Sequence, residues 1–330
     1  MDPKEFPIGL DEVMKAREVV NLHLRPTLLH RYEGLSRLIG GDVYVKHEHQ
    51  NPTGSFKIRG GLNLMHHLKA RGTPGVLTFS TGNHGLSIAT AAAMSGIPAA
   101  VVVPRGNNPA KNRAIIEAGA ELIEAGGSFE EAANQVDDLV EERGWYYAHP
   151  ADEPHLINGV GTEFLEIMKD LPDIDVMIVP VGAGSEAAAA ATVLKAFHPL
   201  VEIIAVQAEA APAACMSWKS QKIMSAANGT FAGGVATGSA YRTPFEIYHH
   251  ALSDFVLLSE HELYEGIALG MYYTHQLLEG AGAAPLRAAI KLRERLAGKK
   301  VVLQMSGCNA STAELRMAMT LPEMEHGFEG

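Results

Sequence analysis

Short apolar runs rich in β-branched residues alternate along the chain with longer, alanine-rich runs. The apolar runs predict strands, which are "GDVYVKHEH", "GVLTFS", "IPAAVVVP", "ELIEAGG", "VMIVPV", "VEIIAVQAE" and "KKVVLQMSG". The intervening runs predict helices, among them one near residues 57–70, one from about Ser128 to Arg143 and one over 157–170. This alternation is typical of an α/β protein whose parallel sheets are flanked by crossover helices. Ligands of such sheets bind beyond the carboxyl ends of the strands, beside helix N-termini.

The chain has 330 residues, more than one compact core usually contains, so we expect two domains. Residues 72–150 form one self-contained series of predicted strands and helices. We interpret this series as a smaller α/β domain. It is inserted into a larger domain that consists of residues 1–71 and 151–330.

The overall charge and the cysteine content restrict the possible partners and the compartment. A net charge of −11 and a pI near 5.7 argue against nucleic-acid binding, which needs a basic face. The longest apolar runs are far shorter than the ~20 residues that span a bilayer, and the N-terminal segment lacks the apolar core of a signal peptide. The two cysteines, Cys215 and Cys308, do not suggest a disulfide framework. These features together favour a cytoplasmic enzyme that acts on a small molecule without a membrane or nucleic-acid partner.

One loop has the pattern of a phosphate-binding turn. In "VPVGAGSEAAAA" a strand ends at Val181, and Gly182, Ala183, Gly184 and Ser185 lead into a helix. Their backbone N–H groups and the positive end of the helix dipole favour an anion, for which a phosphate is the natural candidate. Taken alone, the loop is equally compatible with a tight turn between a strand and a helix that binds nothing.

A second loop has the same strand–turn–helix pattern with more polar side chains. In "FSTGNHGLSIA" the strand is followed by Ser80, Thr81, Gly82, Asn83 and His84. Hydroxyl, amide and imidazole groups beside a helix N-terminus suit a carboxylate. Taken alone, the loop is also compatible with an ordinary helix cap.

A third segment, "NPTGSFKIRGG", places Lys57 directly after Phe56, where an extended run gives way to a helix. Lysines usually lie on solvated faces, and that is the alternative interpretation here. A lysine among small residues and an aromatic ring can instead be a covalent anchor. A fourth segment, "VVLQMSGCNAS", ends a buried strand at the hydroxyl of Ser306.

In the order TGSFK, STGNHG, VGAGS and SGCN, these motifs resemble the serine/threonine dehydratase branch of the fold-type II pyridoxal-phosphate enzymes. That branch includes threonine ammonia-lyases and serine racemases. "HPADEPHLINGVGTEFLEI" and "LEGAGAA" are similar to further segments of the family, and the resemblance covers nearly the whole chain. It implies a two-domain fold like that of the tryptophan synthase β chain, with pyridoxal 5′-phosphate on the larger domain, and a homodimer.

The resemblance also implies a role for each residue of the motifs. Lys57 would hold the cofactor as a Schiff base and then act as the base at the substrate Cα. Phe56 would pack on the pyridine ring, Asn83 would bond its phenolic oxygen, and Ser306 would meet its nitrogen. The other expected cofactor contacts are Gly182, Ala183, Gly184, Ser185, Gly234 and Glu279. The expected contacts of the substrate carboxylate are Ser80, Thr81, Gly82 and His84.

The serine expected at the pyridine nitrogen favours one type of reaction. A carboxylate there would keep the nitrogen protonated and would stabilise negative charge at the substrate Cα for longer. The hydroxyl of Ser306 does not, so the expected reaction is rapid loss of a β-substituent. We therefore expect an ammonia-lyase that converts L-threonine, L-serine or a hydroxyaspartate-type analogue to a 2-oxo acid and ammonia.

Other activities remain open at this point. Racemising members of the branch commonly use a serine of the asparagine loop as a second acid/base. Thr81 occupies that place, so it is a candidate catalytic residue, and lyase is favoured over racemase. A β-replacement enzyme and a non-catalytic nucleotide-binding module are further alternatives.

No metal site is predicted, because Glu209 has Cys215 rather than an aspartate six residues later. Gly233 also replaces an aspartate that often precedes the position of Gly234.

Overall fold

A computed structural model describes residues 7–126 and 129–328. The described chain forms two compact units. The first unit contains residues 7–25 and Phe56–Thr162, and the second contains Pro26–Ser55 and residues 163–328. None of the described helices is long and apolar enough to cross a bilayer.

The strands of the described chain are β1 (Leu29–Arg31), β2 (Asp42–Lys46), β3 (Val76–Phe79), β4 (Ala99–Val103), β5 (Glu121–Glu124), β6 (Tyr146–Tyr147), β7 (Val176–Pro180), β8 (Glu202–Ala208), β9 (Asp254–Leu258) and β10 (Lys300–Gln304). The helices before β7 are α1 (Leu10–Val20), α2 (Glu33–Ile39), α3 (Lys57–Ala70), α4 (Asn83–Ser95), α5 (Pro109–Glu117), α6 (Phe129–Arg143) and α7 (Pro154–Asp170). The helices after β7 are α8 (Ser185–Phe197), α9 (Ala213–Ser220), α10 (Arg242–Tyr248), α11 (Glu260–Leu269), α12 (Gly280–Lys291), α13 (Arg293–Leu296), α14 (Thr312–Met319) and α15 (Glu323–His326).

The first unit is built on a four-stranded parallel sheet in the order β5-β4-β3-β6. Strands β3 and β4 are buried along their whole length, as their uninterrupted apolar sequences require. Helices α3 and α4 pack against each other, and the core of the unit lies between them and the sheet. Because the strands are parallel, the loops that follow β3 and β4 lie at the same edge of the sheet.

The second unit is built on a six-stranded sheet in the order β1-β2-β10-β7-β8-β9. Five of these strands are parallel, and only the three-residue edge strand β1 runs antiparallel to its neighbour β2. The predicted α/β class is confirmed, although this sheet is mixed rather than wholly parallel. Helix α12 packs on β7, β8 and β10, and the largest core cluster of the unit lies there.

The boundaries of the two units differ from those of the predicted domains. The prediction places helix α3, with residues 1–71, in the larger domain, yet this helix packs on α1 and α4 and belongs to the first unit. The chain crosses between units after Arg25, after Ser55 and again within α7. The predicted helix over 128–143 is observed as α6, with its expected first residue, Ser128, outside the described residues. The assignment of the cofactor to one domain stays a prediction.

Candidate active site

Lys57 is the first residue of α3, in the position that the sequence predicts. The hydroxyl of Ser87 on α4 donates a hydrogen bond of 2.6 Å to the carbonyl oxygen of Lys57 and so fixes the first turn of the helix. The preceding residue, Phe56, is buried, and its ring centroid lies 4.8 Å from Lys57 Nζ. Lys57 is half-buried. Its backbone is held by Ser87 of α4, and its side chain lies beside the ring of Phe56.

The loop after β3 leads directly into α4, which begins at Asn83. No side chain caps the N-terminus of α4, and an uncapped helix N-terminus is a common binding site for an anion. The N–H of Gly82 lies 3.3 Å from the hydroxyl oxygen of Ser80 and donates to it. The hydroxyl of Thr81 makes no hydrogen bond with any described residue. This half-buried loop has the chemistry of a carboxylate site.

His84 occupies the first turn of α4, but its imidazole is directed into the unit. Its Nε2 lies 2.9 Å from Thr78 Oγ1 and 3.3 Å from the carbonyl oxygen of Ala148. Because the Thr78 hydroxyl donates to that carbonyl, Nε2 of His84 carries the proton and donates. Burial lowers the pKa of His84 to about 3, and the nearby positive charge of Lys57 contributes to this shift. The side chain is thus a neutral brace, and only its backbone N–H remains for the predicted contact with a substrate carboxylate.

The loop after β7 turns into α8 at Ser185 in a narrow cradle of backbone. A methyl group on Gly182 would lie 2.3 Å from the carbonyl oxygen of Gly234, so only glycine fits at that position. Gly184 has a φ of +93°, and the ring of Tyr248 lies directly behind it, 2.9 Å from the position of a methyl group. The N-terminus of α8 has no side-chain cap. A backbone cradle that ends at an uncapped helix N-terminus suits an anion of the size of a phosphate.

Gly234 and Glu279 lie beside this cradle. A methyl group on Gly234 would lie 3.9 Å from Glu279 Oε1. The N–H of Glu279 donates to the carbonyl oxygen of Gly307, the residue after Ser306. Within the second unit the structure therefore brings the predicted residues of the cradle, Gly234, Glu279 and Ser306 into one cluster. Glu186, the next residue of α8, is buried in its first turn.

Ser306 follows β10 and is only 4% exposed. Its hydroxyl makes no hydrogen bond within the described part of the chain. A buried hydroxyl without a protein partner is uncommon and suits a ligand acceptor or donor at that point. The neighbouring backbone is fixed on both sides, because the N–H of His49 donates to the Met305 carbonyl and the Cys308 thiol donates to the His49 carbonyl.

The segment that contains His49 continues to Lys57 and is itself held by the second unit. Ser55 forms a β-bridge with Gly307, and the side-chain amide of Asn309 donates to the Thr53 carbonyl oxygen over 2.9 Å. The backbone that precedes Lys57 is thus paired with the backbone that carries Ser306.

A buried ionic cluster supports the start of this segment. Lys46 and Glu48 are both 0% exposed. Nζ of Lys46 donates to the carbonyl oxygen of Thr27 over 2.9 Å and to Glu166 Oε2 over 2.5 Å. The carboxylate of Glu48 accepts hydrogen bonds from the Thr27 hydroxyl and from the Asn51 amide. Removal of either charge would leave the other one buried with fewer partners, which is strongly destabilising.

Sequence reasoning did not identify Thr78, Tyr248 or Lys111, all of which contact or adjoin the predicted loops. The sequence pattern around Thr78 and Tyr248 predicts that these residues are buried, but it does not predict their contacts with the loops. At the position considered for a metal, Glu209 is exposed, whereas Cys215 is buried with its N–H bonded to Gln207. The described residues contain no group of three or more His, Cys, Asp or Glu side chains placed to hold a metal ion.

The residues present fit pyridoxal phosphate. The cradle at Gly182 admits no side chain and ends at an uncapped helix, as a phosphate site requires. The Ser306 hydroxyl is a buried group that a pyridine nitrogen could bond. Lys57 provides a primary amine at a helix start, next to an aromatic ring.

Comparison with known proteins gives the same result. A family model described as pyridoxal-phosphate dependent enzyme matches residues 20–307. L-threonine ammonia-lyase of Thermotoga maritima is 34% identical over 304 residues, which cover 92% of this chain and 76% of that protein.

Solved structures agree as well. The threonine deaminase from T.th. is 31% identical with a TM-score of 0.86, and the match covers 92% of this chain and 99% of that one. Maize serine racemase is 25% identical with a TM-score of 0.89, and the match covers 97% of this chain and 99% of that one. The predicted family, fold and cofactor are therefore confirmed, and the chain belongs to the pyridoxal-phosphate dependent enzymes.

Proposed function

We propose that the protein is a pyridoxal-phosphate dependent ammonia-lyase. It removes the β-hydroxyl group and the amine of L-threonine or L-serine and releases a 2-oxo acid and ammonia. The observation that carries this proposal is the identity of 34% to an L-threonine ammonia-lyase over 92% of the chain. The chemistry at the end of β10 supports it, because the buried group there is the neutral hydroxyl of Ser306 and not a carboxylate.

The proposed cofactor contacts follow the two clusters described above. Phe56 and Asn83 of the first unit would contact the ring and its phenolic oxygen, and Lys57 would be the covalent attachment point. In the second unit the phosphate would be held by Gly182, Ala183, Gly184 and Ser185. Gly234, Glu279 and Ser306 would complete the set. When bound, the cofactor stabilises negative charge at the substrate Cα.

The substrate carboxylate is proposed to bind the loop after β3. Ser80, Thr81 and Gly82 offer hydroxyl and N–H donors, and the uncapped N-terminus of α4 adds its positive end. The backbone N–H of His84 belongs to the same turn. This arrangement would hold the Cα–H bond near Lys57 Nζ, which takes up the proton as the general base.

The neutral state of His84 has a purpose in this proposal. An imidazolium at the base of the loop would repel the Lys57 ammonium and would be a buried charge. The pKa of about 3 keeps the imidazole uncharged at physiological pH, since burial disfavours its protonated form. The loop therefore presents donors to the substrate while its supporting histidine carries no charge.

Amino-acid racemisation is a second candidate, favoured by the fold match to maize serine racemase at a TM-score of 0.89. It needs an acid/base on the face of the substrate opposite Lys57. Thr81 has a hydroxyl without a protein partner in the described chain, so it could serve. A threonine is bulkier than the serine expected for that role and restricts the approach of the hydroxyl to Cα, so the lyase remains the first proposal.

We also propose that the protein is a cytoplasmic homodimer. Its two cysteines are both unpaired thiols, which suits a reducing compartment. The second unit exposes several large apolar side chains on α14 and on the segment after α11, which a second copy would cover. These are Tyr272, Leu277, Met317 and Met319. Light scattering coupled to gel filtration measures the mass directly, and a monomer at micromolar concentration would contradict the dimer.

The function is tested with the purified holoenzyme. We expect release of 2-oxobutyrate from L-threonine and pyruvate from L-serine, each with one equivalent of ammonia. L-threo-3-hydroxyaspartate is assayed in parallel, since it differs from L-threonine only by a carboxylate in place of the methyl group. A protein that carries the cofactor, releases no oxo acid from any of the three and exchanges the Cα proton of serine with formation of the D-enantiomer would be a racemase instead.

A further inference from the structure

The ammonium group of Lys111 lies beside the loop after β3. A methyl group placed on Gly82 would lie 3.8 Å from Lys111 Nζ and 4.0 Å from Lys111 Cδ. Lys111 belongs to the first turn of α5, which follows β4. Strands β3 and β4 are parallel neighbours, with Phe79 opposite Val102. Their following loops therefore lie at the same edge of the sheet, and this places the lysine against Gly82.

This lysine has no counter-charge among the residues of the first unit that the structure describes. Its ammonium makes no hydrogen bond or ion pair with any residue that the structure describes. Only its backbone N–H is engaged by a side chain, since it donates to Asn108 at the helix cap. The side chain is half-buried rather than extended into water. A lysine that serves only solubility would be more exposed.

Lys111 lies in the first turn of its helix, where an ammonium group without a counter-charge is especially unfavourable. The first turn of a helix carries partial positive charge, so an ammonium there is unfavourable and an anion favourable. Asn108 already caps α5 through bonds from the N–H groups of Ala110 and Lys111. Capping of α5 therefore does not explain a positively charged side chain at this position. An anion bound next to Gly82 would explain it.

We propose that Lys111 is the counter-ion of the substrate α-carboxylate and that it makes the enzyme select free amino acids over their amides. The inference rests on the proposed function, since it uses the loop after β3 as the carboxylate site. Backbone N–H groups donate to both a neutral amide oxygen and a carboxylate oxygen, although more strongly to the carboxylate. A lysine ammonium widens this difference, because it attracts the full negative charge that only the carboxylate carries.

The test compares two ligands that differ only in this charge. L-Alanine lacks a β-hydroxyl group, so it binds without elimination, and L-alaninamide replaces its carboxylate with an amide. Binding of each to the holoenzyme is measured by isothermal titration calorimetry. We expect Lys111→Met to weaken L-alanine by about tenfold or more and L-alaninamide by less than about twofold. Lys111→Arg, which keeps the charge, should retain L-alanine binding within about threefold.

The control is Lys69→Met, which removes the same charge from an exposed position on α3 of the same unit. It should leave both ligands unchanged. Equal weakening of both ligands in Lys111→Met and in a second variant, Lys111→Gln, would mean a packing role and would overturn the proposal. Unchanged binding of L-alanine would overturn it as well. Failure to release an oxo acid from L-threonine would refute the lyase but not this test, because L-alanine binding does not depend on elimination.

Discussion

Substitution of Gly182 by alanine tests whether the cradle after β7 holds the cofactor phosphate. The added methyl group would lie 2.3 Å from the carbonyl oxygen of Gly234. Non-bonded atoms need about 3.5 Å, so the two backbones must separate by roughly 1 Å. Neither group is the end of a flexible side chain, so the strain cannot be relieved by a rotamer change.

The expected size of the effect follows from the usual cost of overpacking, about 1–3 kcal/mol. We expect the loop of the variant to relax away from Gly234 in the apoprotein, and phosphate binding would have to reverse that relaxation. Most of this free energy is therefore lost from cofactor binding, which corresponds to about 10- to 100-fold weaker binding of pyridoxal phosphate.

The matched control for this substitution is Gly233→Ala, one residue from the carbonyl that the methyl group would strike. A methyl group on Gly233 meets no atom within 4 Å. The assay is titration of pyridoxal phosphate into the three apoproteins, followed by visible absorbance, with urea unfolding of each apoprotein as a measure of stability. Gly233→Ala should bind like the wild type. If Gly182→Ala also binds like the wild type, the cradle does not hold the phosphate and the reasoning is refuted.

Two further outcomes are expected. Burial lowers the pKa of His47, His84 and His155 to about 3 from an ordinary value of 6.5. Between these values the unfolded chain binds protons that the folded protein excludes, so the free energy of unfolding falls as pH drops below about 6.5, by up to about 1.4 kcal/mol per pH unit for each histidine. Urea unfolding at pH 7.5 and 5.5 checks this, and equal stability at both would contradict it. Thr81→Ser, which places a smaller hydroxyl in the loop, should raise the ratio of D-serine formed to pyruvate released by severalfold, as measured by chiral chromatography. An unchanged ratio would exclude this residue as the second acid/base.

The parts of the fold that the sequence predicted best are those in which local pattern and tertiary role agree. The helix near residues 57–70 is observed at Lys57–Ala70, and the helix expected near Ser185 begins there. In both cases small residues end an extended run and an amphipathic or alanine-rich run follows. The four-residue strand β3 and the five-residue strand β4 are buried on both faces, and their continuous apolar sequences identify them.

Side-chain bonds changed the outcome elsewhere. The strand predicted to continue through His49 ends at Lys46, and a 3₁₀ turn follows over Glu48–Gln50. The amide of Asn51 bonds both the backbone and the carboxylate of Glu48, which favours a turn over an extended chain. The prediction of a strand through His49 followed the sequence pattern. That pattern does not show that Asn51 and Glu48, two polar residues, are both buried and bonded to each other.

The same limit applies to the site. The loop pattern predicts that the His84 side chain donates to a substrate, but its imidazole bonds Thr78 and the Ala148 carbonyl, of which the carbonyl is distant in sequence. Sequence alone does not single out Lys111, because a lysine in a helix is ordinary until its distance to Gly82 is known. The motifs predict which loops would take part in the reaction, and that assignment stays a prediction. The direction of each side chain depended on contacts across the sheet, which no local pattern contains.

The central claim is that Lys57 is the covalent attachment point of the cofactor, and its most direct test is chemical. Borohydride reduction of the holoenzyme fixes pyridoxal phosphate on the amine that carries it, and proteolysis with mass spectrometry locates the modified residue. The account predicts one phosphopyridoxyl group per chain, on the peptide that contains Phe56 and Lys57, and none in Lys57→Ala. Stoichiometric modification of any other lysine, such as Lys46 or Lys111, or a fully loaded Lys57→Ala protein would contradict it.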